Sequence, residues 1–93
     1  MGNEKIALIP AFEPDRILIE VLRKITEMDC KAVVVDDGSG ERYTSLFEEA
    51  SRFATVLSYP ENHGKGYALK TGLRYTADRF GGCSLFGVGP LIS

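Results

Sequence analysis

The chain has 93 residues, 44% of them hydrophobic and 10% aromatic, which is enough for one core and excludes both two independent domains and simple disorder. Eleven Lys and Arg against thirteen Asp and Glu give a formal charge of -2, so no basic excess exists to neutralise nucleic-acid phosphates. No apolar run reaches the ~18 residues of a membrane span, and the N-terminal apolar run is too short for a signal peptide and is broken by Pro10. Cys30 and Cys83 form no disulfide framework. With His63 alone for company they also lack metal-ligand spacing, and they read as ordinary thiols in a reducing cytoplasm.

Lys5 to Ala11 (KIALIPA) is apolar without alternation, as expected for a strand covered on both faces. Pro14 sits where a first helical turn would begin, with Asp15 at the positive end of the helix dipole. Ile17, Val21, Ile25 and Met28 then form one apolar stripe, with Leu18 and Leu22 on the adjoining line and Glu20–Lys24 as a surface pair. Lys31 to Asp36 (KAVVVD) predicts a second buried strand, ended by the turn chemistry of Asp37-Gly38-Ser39-Gly40. Tyr43, Leu46, Phe47, Ala50, Phe53 and Ala54 mark a second amphipathic helix. Thr55 to Ser58 predicts a short third strand, followed by a loop from Pro60 to Gly64. Lys65 to about Phe80 predicts a third helix with Ala68, Leu69, Leu73 and Thr76 inward. Gly72 inside it costs ~1 kcal/mol relative to alanine, which signals a close approach to the sheet.

The order β-α-β-α-β-α predicts an α/β fold with a parallel sheet and right-handed crossovers. Ligands in such sheets bind outside the carboxyl ends of the strands. That selects three segments: Pro10 to Glu13, Asp36 to Gly40, and Tyr59 to Gly66. Adjacent carboxylates at Asp36 and Asp37 repel each other. Strand alternation lets only one face the crevice, where it can accept from a base N–H or a ribose hydroxyl. The competing reading is that Asp37 only caps the following turn. Glycines around Lys65 at a helix N-terminus allow close approach of an anion or polar base, but the spacing is neither a P-loop nor GxGxxG. Phe12 can stack on a base or belong to the core, and His63 reads as a solvated loop residue.

Taken together, IALIPAFEP, VVVDDGS and ENHGKGYALKTGL, in that order over roughly Lys5 to Phe80, resemble the N-terminal nucleotide-binding half of a family 2 glycosyltransferase with the Rossmann-like GT-A fold. The resemblance implies a three-layer sheet and a nucleoside-diphosphate sugar donor, of UDP type. It implies a glycan or polyprenyl-phosphate acceptor and a cytoplasmic location, peripheral to the membrane in full-length members. It places Pro10, Ala11, Phe12 and Glu13 along the base, Asp36, Asp37 and Gly38 on uracil and ribose, and Gly64, Lys65 and Gly66 over the base edge.

The sequence departs from the family after Phe80. There a fourth strand should end in an Asp-x-Asp that holds Mn²⁺ or Mg²⁺ against the diphosphate, with a catalytic base later still. No acidic residue follows Asp78, so residues 1–80 are expected to be a truncated nucleotide-binding half without catalytic residues, metal ligands or activity of its own. Residues 81–93 form a glycine-rich apolar tail. The apolar edge of the first strand then needs cover, either from Cys83 to Val88 as a replacement strand or from another copy in a homo-oligomer paired through that edge or the tail. The alternative function is a non-catalytic nucleotide-binding or assembly module. A phosphoacceptor receiver domain fits poorly, because its aspartate pair follows the first strand.

Overall fold

The structure is a computed structural model that describes the backbone of residues 5–80 and 84–88 and the side chains of residues 5–78. Its elements are β1 (Lys5–Ala11), α1 (Ile17–Glu27), β2 (Lys31–Asp37), a 3-10 turn (Glu41–Tyr43), α2 (Thr44–Ala50), β3 (Thr55–Tyr59), α3 (Lys65–Phe80) and β4 (Ser84–Val88). All strand pairs are parallel, in the order β3-β2-β1-β4. The expected α/β fold, a parallel sheet threaded β-α-β-α-β-α, is therefore present with one more strand at the β1 edge.

Alternation along the strands separates two cores. Ile9, Ala11, Ala32 and Val34 face α1 and α2, where Leu18, Ile19, Leu22, Phe47 and Ala50 meet them. Ile6, Leu8, Val33 and Val35 face the other way, onto Ala68 of α3. Each fully buried Leu or Val contributes ~1.5–3 kcal/mol of transfer free energy. The strands are covered on both sides, which is why their sequences run apolar without a break.

Four local expectations change. In α1 the buried line is Leu18, Ile19 and Leu22, while Ile17 and Met28 are each 56% exposed. Apolar residues span a wide arc of this helix, and the sheet selects the side that fits its surface. The helix begins at Ile17, not at Pro14. Arg16 occupies the cap position without a side-chain capping bond, and Asp15 just before it accepts from Ile17 N through Oδ1 at 2.9 Å. The ion pair of α1 is the bidentate Arg16–Glu49 contact to α2 (3.0 and 2.6 Å), not Glu20–Lys24. In α3 Leu73 is 45% exposed and Gly72 takes the inward place. A Cβ on Gly72 would lie 2.1 Å from Leu8 Cδ1, so this glycine lets the helix axis approach the sheet.

Lys5, Ile6, Ala7 and Leu8 pair in parallel with Ser84, Leu85, Gly87 and Val88, with a bulge between Ile6 and Ala7. With β2 on its other side, β1 is an interior strand. Pairing between copies through the β1 edge therefore has no free edge to use. Cys83 and the remainder of the tail beyond Val88 lie outside the described residues.

Candidate functional site

The carboxyl ends of β1, β2 and β3 finish level. Ala11 lies beside Asp36, Asp36 beside Ser58, and Asp37 beside Tyr59. The three segments picked from sequence thus leave the sheet at one rim.

Side-chain alternation sends the two aspartates apart. Asp36 follows Ala32 and Val34 toward the α2 side and is 7% exposed. Its Oδ1 accepts from Ser39 N (3.0 Å) and its Oδ2 from Ser58 Oγ (3.0 Å). Asp37 follows Val33 and Val35 toward the α3 side and has no exposed surface. Its Oδ1 accepts from Tyr59 Oη (2.6 Å) and His63 N (2.9 Å). Its Oδ2 accepts from Asn62 Nδ2 (2.8 Å) and Gly64 N (2.9 Å). A carboxylate offers about four acceptor positions. Asp37 has four donors and is saturated, whereas Asp36 has two and keeps about two positions for a ligand.

Asp37 is a buried charge with no cation beside it among these contacts. Four donors replace its hydration, two of them backbone N–H groups that immediately precede α3, where the helix dipole favours an anion. It does not cap the turn that follows it in sequence. It anchors the next loop, residues 61–64, to the end of β2. Burial, and then donation of its O–H to Asp37, push the Tyr59 phenol well above the ordinary tyrosine value. Gly38 completes the join. It has φ +71°, and a Cβ there would lie 2.3 Å from both Asn62 N and Glu61 C, so loop and turn touch backbone to backbone.

The β1 exit is tied to the same rim. Ser39 Oγ accepts from Glu13 N at 2.8 Å, and Glu13 itself has φ +48°. Pro10 and Ala11 are buried, Phe12 is half-buried, and Glu13 is exposed. At the third segment Gly64 has φ +94°, Lys65 is exposed, and Gly66 has nothing within 4 Å of the place a Cβ would occupy. Among the described residues nothing packs against Gly66.

Sequence reasoning selected the Tyr59–Gly66 segment but gave Tyr59 and Asn62 no role, singled out neither Ser58 nor Tyr67 as a site residue, and left His63 as loop. Tyr59, His63 and Tyr67 form a ring cluster, with centroids 5.5 Å apart for Tyr59–His63, 5.1 Å for Tyr59–Tyr67 and 4.3 Å for His63–Tyr67. The signal was the strand register: with β2 and β3 level, Asp37 and Tyr59 fall side by side on one face.

Among the described residues no group of three or more His, Cys, Asp or Glu side chains comes together to hold a metal ion. The Mn²⁺ or Mg²⁺ implied by the resemblance therefore finds no ligand set among them. Among the same residues no helix is long and apolar enough to cross a membrane.

The family model of Glycosyl transferase family 2 matches residues 7–83. An uncharacterized protein of Methanocaldococcus jannaschii is 34% identical over 74 residues, covering 75% of this chain and 32% of the relative. The chain thus spans about a third of the length of the curated relative it matches. No solved structure matches it. The match runs through all three rim segments, and the chain belongs to glycosyl transferase family 2.

Proposed function

We propose that this chain supplies the donor site of a glycosyltransferase, binding a nucleoside diphosphate sugar of UDP type at the rim formed by residues 10–13, 36–38 and 64–66. The observation that carries this reading is Asp36, a nearly buried carboxylate that keeps acceptor positions at the carboxyl rim, the end of the sheet where the Gly64–Gly66 turn opens α3. Asp36 has acceptor positions left for a base N–H or a ribose hydroxyl. Asp37 spends its charge on fixing the Gly64–Gly66 turn. Lys65 and the first N–H groups of α3 then favour a polar or anionic group beside them. Phe12, half-buried at the β1 exit, flanks the base. In the whole protein the sugar passes to a glycan or polyprenyl-phosphate acceptor. The described residues bind and orient the donor, and none of them is assigned as base or metal ligand.

Calorimetric titration with UDP, with and without Mn²⁺, tests this. Weak binding that does not depend on Mn²⁺ is expected. Asp36→Asn and Gly66→Ala should each abolish it with the fold retained: the Gly66 site has room and an ordinary φ, and an asparagine at 36 can keep its oxygen on Ser39 N and turn its NH₂ to the Ser58 hydroxyl, which can accept. Absence of heat at millimolar UDP, or undiminished binding by both variants, contradicts the assignment.

A further inference from the structure

From Tyr59 and Tyr67 beside the rim, a groove of about 580 Å³ runs down between the edge of β3 and α3. This size is within the ~300–1,000 Å³ of small-molecule sites. Tyr67, Thr71 and Tyr75 follow one another at i, i+4 and i+8 along its α3 wall, with Arg74 and Asp78 on the same wall and Tyr59 on the strand side. The Tyr67 and Tyr75 positions are separated by about 12 Å along the helix axis. Tyr67 is 47% exposed, with its ring braced by Tyr59 at 5.1 Å and His63 at 4.3 Å.

We infer that this groove binds a neutral oligosaccharide, with the exposed Tyr67 ring as the platform for the apolar face of a sugar ring. Arg74, Asp78 and Thr71 supply hydrogen bonds to hydroxyls. The charge balance selects this ligand class. One guanidinium and one carboxylate line the groove, so a polyanion finds no net positive field and an aliphatic chain would strand both charges. A polyhydroxyl ligand satisfies donors and acceptors together, and aromatic rings with a polar handle suit its two-sided character. The bracing of Tyr67 by two rings holds its exposed face in place before binding, which reduces the ordering cost. The inference stands on the groove alone and does not require the nucleotide site.

The test is a ¹H–¹⁵N NMR titration of the full chain with neutral oligosaccharides of two to six units, a panel of gluco-, manno-, galacto- and N-acetylglucosamine series. Binding in the millimolar range by at least one series is expected, with shifts centred on Tyr67, Thr71, Arg74, Tyr75 and Asp78. Tyr67→Ala and Arg74→Ala should each weaken it about tenfold or more. Arg74→Ala, which is remote from the rim, should leave UDP titration unchanged, so the two sites fail or succeed separately. No shift with any series, shifts elsewhere on the surface, or preferential binding of a short oligonucleotide would overturn the inference.

Discussion

Replacing Asp37 by asparagine is expected to unfasten the loop before α3. Asparagine keeps the shape and one oxygen. Turned one way, its NH₂ group faces the donors Asn62 Nδ2 and Gly64 N; turned the other, it faces His63 N and Tyr59 Oη, whose hydroxyl can rotate to accept but gives up its bond to a charged oxygen. Two charge-assisted hydrogen bonds are lost. At ~1.5–3 kcal/mol each the gross cost is ~3–6 kcal/mol. Asn62 is exposed and can swing into water, and this relief lowers the expected net loss to ~2–4 kcal/mol. Against a total stability of ~5–14 kcal/mol for a domain of this length that is a large fraction. It corresponds to a fall in Tm of roughly 10–25 °C. Urea denaturation followed by circular dichroism gives the free energy, and amide exchange at His63 and Gly64 reports the loop. A variant within ~0.5 kcal/mol of the parent, with both amides still protected, refutes the saturated-acceptor account of Asp37.

Gly38→Ala should cost ~3 kcal/mol, from a left-handed φ and a Cβ driven into the backbone of residues 61 and 62; denaturant unfolding near the parent midpoint would show that the join is not tight. Gly72→Ala should destabilise by ~1–2 kcal/mol despite its better helix propensity, because its methyl meets Leu8 Cδ1. A Leu8→Ala background should recover ~1 kcal/mol or more of that in a double-mutant cycle, and strict additivity would count against the contact. Raised folded-state values for Tyr59 and Cys30 make the folded protein hold these protons after the unfolded chain releases them. Their contribution is present below pH 10.0 and pH 9.0, the ordinary values, and is lost as pH rises beyond them. Tyr59→Phe should flatten the alkaline fall in stability above pH 10.0 and leave the part due to Cys30; an unchanged slope would detach Tyr59 from Asp37.

The strands were legible because two-sided burial writes itself as an uninterrupted apolar run, and β1 spans the residues its composition predicts. β2 and β3 each run one residue further, to Asp37 and Tyr59, because parallel pairing there outlasts the apolar stretch. Helix phase was less legible. In α1 nearly every position from Ile17 to Leu22 is apolar, so periodicity alone could not separate the Ile17 line from the Leu18 line. In α2 the apolar signal through Phe53 and Ala54 outlasts the helix, which stops at Ala50 and closes with Phe53 N and Ala54 N donating to Ala50 O. The glycine-lysine turn and the aspartate pair were visible as composition. Their division of labour was not, since it depends on Tyr59 and Asn62 arriving beside Asp37 from other elements. The need to cover the β1 edge was legible, and the choice of β4 to cover it was not.

Chemical-shift mapping of the chain with UDP addresses the donor-site assignment at its root. The amides of Glu13, Ser39, Gly64, Lys65 and Gly66 should move together and saturate with one dissociation constant, and Gly66→Ala should remove the response without altering the rest of the spectrum. Shifts absent from these residues, or confined to the far ends of the strands near Lys5 and Lys31, would contradict a nucleotide site at the carboxyl rim.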